Sequence, residues 1–91
     1  MGPKTTELIQ LLGELSELLG DSDFPHWQTW MLESQTRLQA SDYSGIDYLL
    51  GAYGGMGSFN DICLEPRADL LRNNVWLLAQ EIKHNHEISR A

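Results

Sequence analysis

Leu8, Leu11, Leu12, Leu15, Leu18 and Leu19 recur at spacings of three and four, which gathers them into about a third of a helical wheel. The spacing predicts an amphipathic helix over residues 5–19. Glu7, Glu14, Glu17 and Asp21 fall on a neighbouring stripe, and Gly20 is placed to end the helix as a left-handed C′ residue. Asp21-Ser22-Asp23-Phe24-Pro25 then supplies turn and N-cap chemistry, with Pro25 suited to the first turn of a second helix that runs to about residue 40. Phe24, Trp27, Trp30, Met31 and Leu38 form its apolar face, while Leu32 points elsewhere. Ser41-Asp42 breaks and recaps the chain, with Asp42 as N-cap, and Ile46, Leu49, Leu50 and Tyr53 give a short third helix.

The string Gly51-Ala52-Tyr53-Gly54-Gly55-Met56-Gly57 cannot sustain a regular helix without a large entropic cost, so the third helix ends there. Ser58-Phe59-Asn60-Asp61 has the form of a capping box, which predicts a short helical turn starting at Phe59. Ile62-Cys63-Leu64 alone fits a short extended piece equally well. Glu65-Pro66 opens the last helix, expected over about residues 68–84 with Leu71, Val75, Leu78, Ala79 and Ile82 on one face. Leu70, Trp76 and Leu77 widen that surface, which predicts a central position for this helix, the alternative being cover by a partner. The tail after His86 is expected to fray.

These elements define an all-α fold, an antiparallel bundle of about four helices in a single domain over 1–91, with a Gly-rich loop and short helical turn before the last helix. A chain of 91 residues has room for one core. An enclosed substrate cavity would remove contacts that so small a core needs, and this favours binding at the surface over deep-pocket catalysis.

Charge sharpens that expectation. Thirteen acidic against six basic side chains leave a net charge of −7, which disfavours nucleic acid and anionic membrane and favours a basic partner. Eight of the acids precede Ala52, against only Lys4 and Arg37. Glu14, Glu17, Asp21, Asp23, Asp42 and Asp47 are therefore the candidate partner-binding acids, with Tyr43 and Tyr48 as aromatic anchors beside two of them. The alternative is a solvated surface that serves solubility alone.

Cys63 is the only cysteine, so no intrachain disulfide forms, and a lone thiol fits a reducing compartment, the cytoplasm. Its apolar neighbours Ile62 and Leu64 predict a buried, inert thiol. No apolar run approaches the roughly 18–20 residues needed to span a membrane.

Motifs that would signal catalysis are weak. The glycine string lacks the following lysine and preceding strand of a phosphate-binding loop, so it is read as a tight corner or as an exposed recognition loop with Met56 or Phe59 at its tip. His84 and His86 point to different sides of a helix, and adding His26 and Cys63 gives no metal-ligand spacing, so neither a metal nor a cofactor is expected. Asp42, Asp47 and Asp61 offer a carboxylate pair in principle, but Asp42 and Asp61 are accounted for as caps.

At Leu49-Leu50-Gly51-Ala52-Tyr53-Gly54-Gly55-Met56-Gly57-Ser58-Phe59-Asn60-Asp61 the chain resembles a family of short bacterial proteins sharing a G-G-M-G-S-F-N-D signature and an upstream tryptophan-bearing helix, here around Trp27 and Trp30. The likeness covers roughly residues 24–64. In size, charge and helical make-up the chain also resembles the immunity proteins of interbacterial toxin systems, which bind a co-produced toxin and block it. That likeness rests on no residue-level motif and carries no functional residue across. It implies a non-enzymatic protein that neutralises a cognate, basic toxin through an acidic surface. The alternatives are a self-associating helical adaptor built on Leu70, Trp76 and Leu77, or a small enzyme using Asp61 and a histidine near the glycine loop.

Overall fold

The fold was determined as a computed structural model that describes residues 2–54 and 58–90, with side chains described up to residue 85. Among the described residues there are four α-helices and no strand: α1 (Pro3–Asp21), α2 (Pro25–Gln39), α3 (Ser44–Gly51) and α4 (Pro66–Arg90), with a 3-10 turn at Phe59–Asp61 before α4. This is the expected all-α bundle with a short helical turn preceding the last helix. α1 packs against α2 and α4, and α3 against α2 and α4, so the four helices close a ring. Direction follows from the bonds between them. Lys4 pairs with Glu81 and Glu14 with Arg67, so α4 runs antiparallel to α1.

The core is built from the positions that the periodicity selects. Leu8, Leu12, Leu15 and Leu19 of α1 are fully buried against Met31 and Leu38 of α2, Leu49 of α3 and Val75 and Ala79 of α4. At about 1.5–3 kcal/mol for each large side chain removed from water, the leucine stripe of α1 is a main source of stability. α1 and α2 also approach closely through small residues. Gly13 and Gly20 face Gln35 and Gln28, and Gln35 Nε2 donates to the Ile9 carbonyl at 2.9 Å. No helix among the described residues is long and apolar enough to cross a membrane.

Helix ends depart from expectation in an instructive way. α1 continues through Gly20 to Asp21, and the left-handed residue is Asp23, at φ 65°. The Phe24 amide donates to Leu19 O (2.9 Å) and the Asp23 amide to Gly20 O (3.3 Å), the paired bonds of a Schellman motif with Asp23 at C′. Gly20 is inside the helix because the carbonyls left over at its end are satisfied three residues further on. α2 ends the same way, with Ser41 at φ 60° and amide bonds from Asp42 to Arg37 O (2.9 Å) and from Ser41 to Leu38 O (3.0 Å). Pro25 opens α2 as expected, but its N-cap is Phe24, and no side chain caps that end.

Further expectations are corrected around the second half of the chain. The capping box does not form: Ser58 precedes the 3-10 turn without a side-chain cap bond, and its buried Oγ has no hydrogen-bond partner. The turn is closed through the backbone, with the Asp61 amide donating to Ser58 O at 2.9 Å. Cys63 is exposed, because residues 62–65 run outside any helix and Ile62 and Leu64, both half-buried, turn inward on either side of it. α4 is not central. Its core-facing side is covered by α1 and α3, while Leu70, Leu77 and Trp76 stay 60%, 48% and 36% exposed. It also starts two residues early and continues as helix to Arg90, past the expected point of fraying.

Candidate functional site

The most organised part of the molecule joins α2, α3 and the 3-10 turn through a ladder of aromatic rings. Tyr48 stacks on Trp30 (centroids 5.2 Å apart), Trp30 lies 5.6 Å from Trp27, Trp27 stacks on Phe59 (5.2 Å), and Phe59 meets Tyr53 edge to face (5.4 Å). Each such contact adds about 0.5–1.5 kcal/mol beyond area burial. His26 packs edge-on against Trp27 and Trp30. A guanidinium flanks each part of the ladder, Arg37 4.2 Å from the Tyr48 ring centre and Arg72 5.5 Å from that of Phe59. The Trp30 indole is oriented by its bond to the Tyr48 carbonyl at 2.8 Å.

Phe59 is therefore fully buried rather than at the tip of a recognition loop. Met56, the other tip candidate, lies outside the described residues. The base of the glycine loop is pinned: the Phe59 amide donates to Ala52 O (2.9 Å), and Asn60 Nδ2 to Tyr53 O (3.0 Å). Arg72 of α4 locks this base from the other side. Its Nη1 donates to the carbonyls of Phe59 (2.7 Å) and Ile62 (2.9 Å), and its Nη2 pairs with Asp69. In return the Tyr53 hydroxyl donates to Arg72 O at 2.8 Å. Burial pushes that hydroxyl well above the ordinary phenol range, and the nearby Arg72 charge opposes the shift in part.

Sequence reasoning did not single out Arg72, Asn60 or the Tyr53 hydroxyl. Their partners are backbone carbonyls, which every residue carries and no motif marks. The one available signal was the Ser58-Phe59-Asn60-Asp61 string with the upstream tryptophans, and those are the residues that the ladder brings together. Beside the clamp an open cleft of about 770 Å³ runs along α4, with Asn60, Asp69, Leu70, Asn73 and Trp76 among its walls.

The eight candidate partner-binding residues do not form one patch. Asp21, the last residue of α1, and Asp23 in the turn after it are exposed, and Glu17 is one helical turn before Asp21. Among the described residues these three carboxylates have no ion-pair partner, and the last turn of α1 holds no basic side chain. They sit at the carboxyl end of a helix, where the aligned peptide dipoles are already negative, so this is a locally uncompensated negative pole. Glu14 is drawn into a pair with Arg67 at 3.9 Å. Asp42 and Tyr43 lie at the other end of the bundle, since Tyr43 faces Lys4, Thr5 and Ile82 across a second hollow.

Asp42 is not the N-cap of α3, which is Tyr43 with no side-chain cap bond; one residue earlier, it accepts from the Ser44 amide at 3.0 Å in the turn that leads into the helix. The Ser44 hydrogen bonds hold its carboxyl below the usual range, with a smaller contribution from Arg37. Asp47 pairs with Lys83 at 3.0 Å, and Tyr48 is half-buried in the ladder rather than presented as an anchor.

The fold and these contacts define a small helical domain whose α2, α3 and 3-10 turn are joined through an aromatic ladder and clamped to α4 by one arginine. Residues 21–71 match the family described as a domain of unknown function, DUF6966, and the chain belongs to that family. No curated protein matches the chain. No solved structure matches it either.

Proposed function

We propose that this chain is a binding protein that captures a basic protein partner on the negative pole formed by Glu17, Asp21 and Asp23, and that its role is that of a cytoplasmic immunity protein neutralising a cognate toxin. The observation that carries the reading is the lack of compensation at that pole. Among the described residues, three carboxylates without ion-pair partners stand at the negative end of a helix dipole, whereas Glu14, Asp42 and Asp47 are engaged within the chain. Holding like charges together there works against folding, and a cationic partner reverses the sign of that term. A focused field of this kind speeds encounter and selects partners by charge.

The test is capture of a basic toxin-like protein from native lysate, followed by measured affinity for the Glu17→Lys/Asp21→Lys/Asp23→Lys triple variant. The expected result is a loss of at least tenfold in affinity, largest at low salt, with helical content unchanged. A folded triple variant that binds as tightly as the parent removes this pole from the interface. Failure to protect cells against the captured toxin removes the neutralising role.

A further inference from the structure

Opposite the core-facing side of α4 runs a strip of six exposed residues at spacings of three and four: Pro66, Leu70, Asn73, Leu77, Gln80 and His84. It contains no Asp, Glu, Lys or Arg, in a chain of net charge −7. Four of the charges bordering it are paired within the chain, Glu81 with Lys4 (3.2 Å), Lys83 with Asp47 (3.0 Å), Arg67 with Glu14 (3.9 Å) and Asp69 with Arg72, while Glu65 at its start is exposed. We propose that this strip is the interface of an antiparallel two-fold dimer of the chain itself, with Leu77 of each copy seated on Leu70 of the other at the edge of the cleft lined by Trp76.

The occupant follows from charge and from self-complementarity. Like-charge repulsion opposes contact between two copies over most of the surface, and this neutral strip is where it is relieved. A two-fold axis perpendicular to α4 near Asn73 carries Leu70 onto Leu77 of the second copy and Leu77 onto Leu70. The same operation brings the two Asn73 amides together, and each amide both donates and accepts, so the polar group at the centre is matched by its own copy. The open cleft beside Leu70 gives the incoming leucine a place to be buried. The strip measures about 28 by 10 Å, about 280 Å² per copy against the roughly 800 Å² per partner of a standard specific interface, so the association it supports is weak and is sought up to millimolar concentration. The acidic pole of α1 takes no part, so this dimer and the proposed toxin binding stand or fall separately.

Sedimentation equilibrium from low micromolar to millimolar concentration should show monomer giving way to dimer. Leu77→Glu, at a residue exposed enough to leave the fold intact, should weaken the dimer at least about 100-fold, since each interface loses two buried leucines. In a Cys63→Ser background, Asn73→Cys should cross-link the two copies under mild oxidation, because only residues near the axis bring their Cα atoms within disulfide reach. A chain that stays monomeric to millimolar concentration overturns the proposal. So does a dimer that is indifferent to Leu77→Glu, or an Asn73→Cys variant that does not cross-link.

Discussion

Arg72→Ala probes the clamp most directly. The side chain is only 11% exposed and donates to two carbonyls, Phe59 O at the start of the 3-10 turn and Ile62 O just after it. A hydrogen bond to a charged donor contributes about 1.5–3 kcal/mol, and its loss leaves the acceptor to find water in a tight space. The guanidinium near the Phe59 ring adds about 0.5–1 kcal/mol, and the pair with the exposed Asp69 adds little. Allowing for non-additivity, the expected loss is about 3–5 kcal/mol, a large share of the roughly 5–14 kcal/mol available to a domain of this length. Arg72→Lys keeps the charge but not the fork that reaches both carbonyls, so it should recover only part of the loss. Urea unfolding followed by tryptophan fluorescence and far-ultraviolet circular dichroism measures both variants. Hydrogen exchange at the Phe59 amide reports whether the loop base opens. An Arg72→Ala protein within about 0.5 kcal/mol of the parent, the range of ordinary surface changes, would refute the clamp.

Other consequences are checked by the same unfolding assays. Gly45→Ala should destabilise by about 1–3 kcal/mol, because a Cβ there meets Arg37 Cβ at 3.0 Å and the Ser34 carbonyl at 3.3 Å, whereas Gly51→Ala meets only Trp30 at 3.7 Å and should be neutral or gain up to about 1 kcal/mol from helix propensity. Ser41→Gly and Asp23→Gly should each stabilise by about 0.5–1 kcal/mol through relief of left-handed backbone, the aspartate less than the serine, and only Asp23→Gly should weaken capture of a basic partner. The Tyr53 hydroxyl is raised in the folded state, so its contribution is intact below about pH 10 and is lost as pH climbs beyond that; Tyr53→Phe should flatten this alkaline loss of stability, read from unfolding midpoints above pH 9.5, roughly. Asp42 is lowered, so its contribution is intact above about pH 4 and is lost as pH falls further; a carboxyl titration followed by NMR should place it below a free aspartate.

Helix positions and the core were legible because burial obeys a period. The leucines of α1 and the Val75, Ala79 and Ile82 face of α4 are buried where the wheel puts them, and Leu32 is exposed as its phase requires. Terminations were less legible, since Gly20 advertises a left-handed end that the chain reaches only at Asp23, where the backbone bonds close. Period also cannot say what covers a wide apolar face. α4 carries apolar residues around more of its circumference than α1 and α3 can cover, and the surplus is exposed at Leu70 and Leu77. The candidate acids were legible as charge but not as a patch: identity does not reveal that Glu14 and Asp47 meet Arg67 and Lys83 from a helix far along the chain. Tyr48 illustrates the same limit, because its neighbour in sequence, Asp47, suggested a surface role while its neighbour in space, Trp30, takes the ring inward.

The extent of the family match bears on how these surfaces relate to the fold. Residues 21–71 contain the whole aromatic ladder, Trp27, Trp30, Tyr48, Tyr53 and Phe59, together with the pinned base of the glycine loop. They omit Arg72, which locks that base from α4, as well as Leu8, Leu12, Leu15 and Leu19 of α1 and Val75, Ala79 and Ile82 of α4, which close the core around the joint. Glu17 of the acidic pole and Asn73, Trp76 and Leu77 of the α4 strip also lie outside the matched segment. The joint is rigid because rings, carbonyls and one guanidinium fix it from three directions, and such a joint tolerates little change. α1 meets it through a plain apolar stripe, and α4 through such a stripe together with Arg72, so residues on their outer faces away from Arg72 can change without disturbing the joint. Side chains on the outer faces of α1 and α4, away from Arg72, can therefore be altered in sign or shape while the joint that sets the helix arrangement stays the same.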